Sequence, residues 1–290
     1  MKELVVLSGK GGTGKTSILA SFAALAKNKV IADCDVSAAD LYLLLSPAVK
    51  EQHEFWSGQV AWIDEKKCTR CSLCQEMCHF NAIAEFRVVP HTCEGCGLCS
   101  AICPAGAITM QPSLAGHWFV CESKYGSLIY AKLGIAKENS GKLVSLVRQK
   151  ALQTAVREGT ELIICDGPPG IGCPVISSLS GADLALLVTE PTLSGRSDLE
   201  RILSVCDHFN VTPFVCINKW DINEDNTRQI ETYCADHRVR IIQKIPFDNV
   251  VTKAIIDNRP VVEYSHGSTS RCIEDMWHKI EKIVCNQGGY

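Results

Sequence analysis

Short runs of apolar residues alternate along the chain with longer segments in which apolar residues recur every three or four positions. The runs predict buried β-strands, and the longer segments predict amphipathic helices. Strands that alternate with helices favour a parallel sheet with helices on both faces, which is the doubly wound α/β class. The predicted strands occupy residues 4–7, 30–32, 162–165, 184–188, 214–217 and 241–245.

A glycine-rich segment follows the first predicted strand. Its sequence, GKGGTGKT at residues 9–16, fits the phosphate-loop pattern G-x-x-x-x-G-K-[ST]. Glycines let successive N–H groups turn toward phosphate oxygens, and the dipole of the following helix adds positive charge there. In this pattern Lys15 reaches the terminal phosphates and the Thr16 hydroxyl binds Mg²⁺. A turn without a ligand is the alternative, but the flanking strand and helix favour nucleotide binding. The predicted contacts are Gly9, Lys10, Gly11, Gly12, Thr13, Gly14, Lys15, Thr16 and Ser17.

Composition restricts the possible partners. The chain has 290 residues, of which 46% are hydrophobic, and its formal net charge is -3. This charge gives no electrostatic reason to expect nucleic acid or an anionic membrane as a partner. No apolar run approaches the roughly 18 residues of a membrane span, and the N-terminus lacks the pattern of a signal peptide. We therefore expect a cytoplasmic protein without stable membrane insertion, whose thiols are reduced or bound to metal.

The cysteines are concentrated in one part of the chain. Of 17 cysteines, eight lie between Cys68 and Cys103, in two runs with identical spacing. Each cysteine of the first run recurs 25 residues later, which indicates an internal duplication. Both runs resemble the bacterial ferredoxin pattern C-x₂-C-x₂-C-x₃-C-P, in which the fourth cysteine binds the other cluster.

This resemblance predicts two [4Fe–4S] clusters with crossed ligands. Cys68, Cys71, Cys74 and Cys103 would hold the first cluster, and Cys93, Cys96, Cys99 and Cys78 the second. Zinc bound by paired C-x₂-C segments is the alternative, but two interleaved runs of four favour iron–sulfur clusters. The first run departs from the pattern because His79 stands where Pro104 follows the second run. Proline is not a ligand, so this departure affects the local turn and not cluster binding.

The phosphate loop has a second lysine, Lys10, in the string KGGTGKT. This string resembles the deviant phosphate loop of the MinD/ParA ATPases, a superfamily that includes nitrogenase iron protein and the arsenical-pump ATPase. The resemblance implies that Lys10 reaches the nucleotide of a partner subunit, so that ATP pairs two such domains. The partner would be an identical subunit or a paralogue.

The same resemblance implies roles for later strand ends. Asp35 would position the attacking water, Asp166 would hold Mg²⁺ through water, and Gly170 would meet the γ-phosphate. Asp33 and Asp40 are expected only to cap a helix or to be solvated. The base would be contacted by Asn218, Pro246 and Asp248.

Two further features invite alternative interpretations. The string NKWD at residues 218–221 resembles the guanine signature of GTPases, but the phosphate loop favours ATP. Cys173 lies where nitrogenase iron protein has a cysteine that binds a shared cluster. We expect Cys173 and Cys121 instead to be small buried residues.

Together these patterns predict a doubly wound, mainly parallel phosphate-loop ATPase domain at residues 1–59 and 113–290. A small α+β ferredoxin domain with two clusters would interrupt it at residues 60–112. The cofactors would be ATP, Mg²⁺ and two [4Fe–4S] clusters. The expected function is ATP hydrolysis by a dimer, coupled to electron transfer or partner docking, with a protein electron donor or acceptor.

Two other functions stay open at this point. The chain would otherwise be an iron–sulfur carrier or assembly scaffold that serves an apo-protein client. Alternatively, it is a ParA-like positioning ATPase whose clusters are structural or sense redox state.

Overall fold

The computed structural model describes residues 1–134 and 140–286, which divide into two compact units. The first unit contains residues 1–52, 119–131 and 141–286, and the second contains 53–118, 132–134 and 140. The predicted ferredoxin segment, 60–112, lies within the second unit. Of the predicted second part of the ATPase domain, 113–290, residues 135–139 and 287–290 lie outside the described residues.

Eleven strands are described in these ranges. In chain order they are β1 Lys2–Ser8, β2 Lys29–Asp33, β3 Ala48–Ile63, β4 Ile83–Ala84, β5 Arg87–Val88, β6 Ile108–Ser123, β7 Gly126–Leu133, β8 Leu162–Pro169, β9 Leu184–Thr189, β10 Thr212–Asn218 and β11 Arg240–Ile245. Nine of them form one sheet in the order β11-β10-β9-β1-β8-β2-β7-β6-β3. The other two, β4 and β5, pair antiparallel.

The helices follow the strands closely along the chain. They are α1 Lys15–Leu25, α2 Leu41–Leu45, α3 Leu73–Glu76, α4 Leu98–Ile102, α5 Ser140–Glu158, α6 Cys173–Leu179, α7 Leu193–His208, α8 Glu224–Asp236, α9 Val250–Ile256, α10 Val261–Tyr264 and α11 Ser268–Asn286. A 3-10 turn occupies Trp220–Ile222. None of the helices within residues 1–134 and 140–286 has the length and apolar character needed to span a membrane.

The sheet of the first unit is mainly parallel, as predicted. β1 pairs in parallel with β8 and β9, β2 with β7 and β8, and β10 with β9 and β11. The apolar run at residues 4–7 of β1 is fully buried, which is typical of a parallel strand covered on both faces. On one face, Phe22 of α1 and Trp277 of α11 meet with ring centroids 5.1 Å apart. The continuous apolar strands are therefore explained by helices on the sheet faces.

Strand register aligns two acidic residues. Asp33 at the end of β2 lies opposite Asp166 in β8, and Asp166 also lies opposite Val6 in β1. Parallel strands end at the same edge of a sheet, and the phosphate loop leaves β1 at that edge. The loop and both aspartates consequently meet at one place.

The second unit repeats its backbone with the same 25-residue period as its sequence. The short helices α3 and α4 begin at Leu73 and Leu98. Left-handed backbone conformations also recur in pairs, at Arg70 and Gly95, Ser72 and Gly97, and Asn81 and Gly106. In each pair the first copy has a residue with a side chain in this conformation, whereas the second copy has glycine. The conformation costs glycine little. Gly95 is further required because an added Cβ would lie 2.3 Å from the Gln59 carbonyl oxygen.

Candidate functional site

A cleft of about 430 Å³ opens at the end of the phosphate loop. Its wall includes residues 11–17 of the loop and α1, together with Asp35, Asn218 and residues 246–248. Most of the predicted nucleotide contacts are therefore brought together. Gly9 instead packs closely on α7, because an added Cβ would lie 2.0 Å from the Cβ of Asp198.

The loop is held by one amide side chain. Asn218 Nδ2 donates to the Thr13 carbonyl oxygen at 2.7 Å. Gly14 has a left-handed φ of 89°, and a Cβ at this position would lie 2.5 Å from Asn218 Nδ2. Glycine is thus required at residue 14 both by backbone conformation and by the approach of Asn218. Asn218 lines the cleft, but its amide nitrogen is occupied by the loop.

Replacing Gly14 by alanine is expected to destabilise the protein by about 2–3 kcal/mol, from left-handed strain and the lost bond between Asn218 and Thr13. Urea unfolding would measure this change. Gly11→Ala is the matched control, because an added Cβ at Gly11 meets nothing within 4 Å. Equal destabilisation by the two substitutions would contradict the assignment.

Lys15 and Asp166 form a buried ion pair beneath the cleft. Lys15 Nζ lies 2.5 Å from Asp166 Oδ1, and the side chains are 6% and 1% exposed. Burial alone would lower the pKa of Lys15, but the charge and hydrogen bond of Asp166 outweigh it and raise that pKa. The lysine is therefore kept protonated at the base of the loop.

Asp33 belongs to the same buried group, which the sequence analysis missed. Its carboxylate accepts the N–H groups of Asp35 at 3.1 Å and of Leu41, the first residue of α2, at 3.2 Å. The predicted capping contact of Asp33 is therefore present. However, the side chain is also fully buried, and burial together with the charge of Asp166 raises its pKa. Its position immediately after a buried strand was the available signal.

Asp35 lines the cleft and is half-buried. Burial raises the pKa of Asp35, and the nearby Lys15 opposes that shift. Asp33, Asp35 and Asp166 thus surround one ammonium group. A surplus of carboxylates at a strand-end cleft is suited to a hard cation such as Mg²⁺.

Lys10 lies outside the cleft wall and is paired within its own chain. Its Nζ lies 3.2 Å from Glu190 Oε2 and 3.4 Å from Thr192 Oγ1. Glu190 also pairs with Lys219, whose Nζ donates to the Gly12 carbonyl oxygen at 3.1 Å. The sequence analysis missed Glu190 and Lys219. Contact between Lys10 and a partner subunit stays a prediction.

The base end of the cleft differs from the predicted arrangement in detail. Asp248 lines it, but its carboxylate accepts from Val250 N and from Thr269 Oγ1, each at 2.9 Å. Pro246 lines the wall, and Phe247 is 51% exposed there, so that their contact with a base stays a prediction. Asp221, the last residue of the GTPase-like string, accepts the Phe247 N–H at 2.7 Å.

Two residues of the segment after β8 are placed differently from expectation. Gly170 N–H donates to the Ser8 carbonyl oxygen at 2.9 Å, so its predicted contact with a γ-phosphate would require that bond to open. The prediction that Cys173 is buried is wrong, because Cys173 is exposed at the first turn of α6. Cys121 is buried as predicted, and burial raises its pKa to about 11.

Two cavities in the second unit are lined by the clustered cysteines. Within the described residues the thiols of these runs are free of disulfides. The first cavity contains Cys68, Cys71, Cys74 and Cys103 in its wall. The second contains Cys78, Cys93, Cys96 and Cys99, and Cys74 borders it as well. The fourth cysteine of each run therefore lies with the first three of the other run.

Backbone amides point at these fourth cysteines. Ala82 N donates to Cys78 Sγ at 3.3 Å, and Ala107 N donates to Cys103 Sγ at 3.4 Å. Amide donors stabilise thiolate charge, and hydrogen bonds to sulfur tune iron–sulfur clusters. Burial, helped by neighbouring thiols, raises the pKa of Cys74. A metal is the usual means of keeping such a buried sulfur deprotonated.

The described side chains offer no three-ligand site for a single metal ion. Across residues 1–134 and 140–286, no three His, Cys, Asp or Glu side chains are grouped so as to hold one. A cubane cluster binds each cysteine through a different iron atom, and its own body lies between the ligands. Eight cysteine sulfurs line the two cavities, and soft sulfur ligands of this kind fit such clusters.

The first unit has a phosphate loop between β1 and α1 and a buried lysine paired with a strand-end aspartate. These two features define it as a phosphate-loop nucleotide-binding domain. Residues 4–261 match the family model described as the CobQ/CobB/MinD/ParA nucleotide binding domain, and the chain belongs to this family. The predicted MinD/ParA resemblance is thereby confirmed.

Relatives match nearly the whole chain. The uncharacterized protein MJ0578 of Methanocaldococcus jannaschii is 34% identical over 286 residues, which cover 97% of each chain. Uncharacterized protein MJ0579 of the same organism is 26% identical over 270 residues, covering 91% of this chain and 93% of its own length.

Solved structures share the fold. The cell division ATPase MinD of Pyrococcus furiosus superposes with a TM-score of 0.59 at 16% identity, covering 97% of this chain and 99% of its own. MinD of Pyrococcus horikoshii, solved with Mg-ADP, gives a TM-score of 0.56 at 15% identity, covering 97% and 96%.

Proposed function

We propose that this chain is a Mg²⁺-dependent ATPase whose nucleotide cycle is coupled, within a dimer, to electron transfer or partner docking through two [4Fe–4S] clusters. The observation that carries this proposal is the crossed grouping of eight cysteines around two cavities, in a chain that also has a phosphate-loop cleft. The cleft and the cysteine cavities lie in separate compact units, and their presence in one chain favours a joint function.

The cleft supports the ATPase half of the proposal. Lys15 would bind the phosphates, Thr16 and Asp166 would hold Mg²⁺, and Asp35 would position water. Asp33 adds a buried carboxylate beside Asp166. The family consists of nucleotide-binding domains, and a MinD of the same fold was solved with Mg-ADP.

An unsatisfied hydroxyl in the loop is consistent with a phosphate ligand. Thr13 Oγ1 is buried and has no hydrogen-bond partner among the described residues. Buried polar atoms normally have a partner, and leaving one unsatisfied costs roughly 1–3 kcal/mol. Because Thr13 borders the cleft, a phosphate oxygen would provide the missing acceptor. Adenine would lie toward Asn218, Pro246 and Asp248, the base side of the same cleft.

The cysteine cavities support the redox half. When bound, the clusters would supply one-electron transfer. Cys68, Cys71, Cys74 and Cys103 would hold one cluster, and Cys93, Cys96, Cys99 and Cys78 the other. Residues 60–112 are proposed as the ferredoxin domain on the same grounds. Amide donors to Cys78 and Cys103 favour thiolate ligands at both fourth positions. Zinc is disfavoured by the interleaved spacing of the two runs.

Dimerisation is part of the proposal because Lys10 belongs to the phosphate loop without lining the cleft. In the paired state its ammonium group would meet the phosphates of the partner's nucleotide. Two relatives from one organism, MJ0578 and MJ0579, indicate that paralogues coexist, so the partner is an identical subunit or a paralogue.

The test is ATP hydrolysis by the full chain under anaerobic conditions, with the clusters reduced by dithionite and then oxidised by ferricyanide. We expect the turnover rates of the reduced and the oxidised protein to differ by about fivefold or more. Fivefold is the lower end of the range that is usual for coupling between two sites. The EPR signal of the reduced clusters should also change when MgATP is added. Lys15→Ala is the control, because it should abolish the response to MgATP while retaining the clusters. Equal turnover together with unchanged EPR spectra would refute the coupling.

A second candidate is a positioning ATPase with structural or redox-sensing clusters. It is favoured by the shared fold with the cell division ATPase MinD. In that case ATP would drive assembly or surface association, and cluster oxidation state would leave hydrolysis unchanged. Sedimentation with and without MgATP, repeated with oxidised and reduced protein, separates this candidate from the redox enzyme.

A third candidate is an iron–sulfur carrier, and the exposure of Cys71 and Cys96 favours it. One ligand of each cavity is thereby open to exchange with an apo-protein. Loss of the cluster spectrum from this chain, with its appearance in an added apo-ferredoxin, would support the carrier. Retention of the clusters would support the permanent redox centre.

A further inference from the structure

A carboxylate at the end of β9 has no role in the function proposed above. Glu190 lies next to the phosphate loop, and its side chain is 13% exposed. One oxygen accepts Lys10 Nζ at 3.2 Å, and the other pairs with Lys219. A single, partly exposed acidic side chain thus pairs with both lysines at the rim of the loop.

Both lysines are fixed to this place by other contacts. Lys219 Nζ also donates to the Gly12 carbonyl oxygen at 3.1 Å, so it stays attached to the loop. Lys10 Nζ lies 3.4 Å from Thr192 Oγ1, and the same hydroxyl accepts Gly195 N–H at the start of α7. Lys10 is consequently held toward α7 and not toward the cleft.

Glu190 is ionised in this arrangement. Burial opposes ionisation, but the hydrogen bonds and charges of Lys219 and Lys10 outweigh burial and lower the pKa of Glu190. In the paired state proposed above, a nucleotide brings several negative charges near Lys10, and these phosphates compete with Glu190 for its ammonium group. The carboxylate also repels the phosphates directly.

We propose that Glu190 is a positioning residue that holds Lys10 within its own chain, so that Lys10 exchanges Glu190 for a phosphate oxygen of the partner's nucleotide only when that nucleotide is highly charged. This inference rests on the nucleotide binding proposed above. Glu190 then makes affinity depend on phosphate charge: ATP displaces the carboxylate, whereas AMP leaves Lys10 on Glu190.

The test is Glu190→Gln, which keeps the shape and one hydrogen-bond acceptor but removes the charge. Isothermal titration of the full chain should give about tenfold tighter binding of ATP, and AMP affinity within about twofold of wild type. The gain for ATP should shrink at about 0.5 M salt, because dissolved ions screen the interaction of the phosphates with Lys10 and Glu190. In a Lys10→Ala background the same substitution should give only a small gain.

Glu231→Gln is the matched control. Glu231 lies on α8 and pairs with Lys244 of β11 at 2.8 Å. Within the described residues its carboxylate has no ion pair with the phosphate loop. This variant also removes a carboxylate from a lysine, and it should leave ATP affinity unchanged. Glu190→Asp keeps the charge on a shorter side chain, so it should retain wild-type discrimination between ATP and AMP more nearly than Glu190→Gln. It therefore provides a second readout if the glutamine variant folds poorly.

The outcomes separate this inference from the proposed function. If wild type binds neither ATP nor ADP, nucleotide binding itself fails. If wild type binds ATP and Glu190→Gln, folded by circular dichroism, binds it equally or more weakly, only the role of Glu190 is overturned. Equal tightening for AMP and ATP would likewise exclude exchange driven by phosphate charge.

Discussion

Replacing Cys103 by serine is expected to remove the same iron–sulfur cluster as replacing Cys68, although the two residues belong to different cysteine runs. Both line the first cavity, whereas Cys93 lines the second. Serine lacks the soft thiolate that the cluster requires. The iron content of anaerobically purified protein should fall from about eight to about four atoms per chain in either variant.

The sharper measurement is EPR of the cluster that remains. Cys103→Ser and Cys68→Ser should leave one and the same spectrum, while Cys78→Ser and Cys93→Ser should share the other spectrum. Cys121→Ser is the control, because Cys121 is buried outside both cavities, and it should retain both clusters. If Cys103→Ser instead gave the spectrum of Cys93→Ser, each run would hold its own cluster. Zinc in place of iron would refute the cluster assignment altogether.

The features predictable from sequence are those encoded by neighbouring residues. The phosphate loop is a contiguous string, and the parallel sheet follows from apolar runs that are buried on both faces. The crossed cysteine grouping was predicted from the resemblance of the two runs to bacterial ferredoxins, and the duplicated module repeats its backbone along with its spacing. Asn81 and Gly106 illustrate this repetition, since both adopt the left-handed conformation at equivalent positions.

The features that escaped prediction depend on contacts between distant segments. Glu190, Lys10 and Lys219 come from three separate strand ends. No local sequence motif around any of them indicates that Glu190 pairs with the two lysines. Asp33 had a capping contact with Leu41, as predicted, yet its burial depends on the neighbouring strand β8. The sequence of one strand end specifies the residue type there, but not which other ends surround it.

Exposure is also poorly encoded at helix ends. Cys173 resembles the other scattered cysteines in its apolar surroundings, but it stands at the first turn of α6, where the side chain faces outward. Asp248 illustrates a different effect, in which local hydrogen bonds occupy a polar side chain. The family resemblance implies that Asp248 contacts the base, and in the structure its carboxylate accepts from Val250 N and Thr269 Oγ1. Local bonding at a helix start competes with ligand binding for such side chains.

Asp166→Asn is expected to have the largest effect in the first unit, on both stability and activity. Asp166 is 1% exposed and pairs with the equally buried Lys15, so the substitution leaves a buried ammonium group without its main counter-charge. Breaking a buried pair on one side costs about 3–5 kcal/mol. ATP hydrolysis should fall by about 10²–10³-fold, because charge stabilisation around Mg²⁺ and the phosphates is lost.

Stability and activity can be separated with a double variant. Lys15→Met with Asp166→Asn removes both charges, so its free energy of unfolding should return to within about 1–2 kcal/mol of wild type, as for other buried pairs replaced on both sides. ATP hydrolysis should stay lost, because the phosphates then lack Lys15. Glu200→Gln, which breaks the exposed pair with Arg196, should cost less than about 1 kcal/mol and serves as the control.

The double variant decides what the buried pair is for. If Lys15 and Asp166 were both needed mainly for folding, restoring stability would restore hydrolysis in proportion to the folded fraction. If the pair exists for catalysis, a stable but inactive protein results. A single variant Asp166→Asn that unfolds at the wild-type urea concentration would contradict the expected cost of breaking the buried pair. In that case any fall in hydrolysis would come from the loss of the Asp166 carboxylate at the site and not from unfolding.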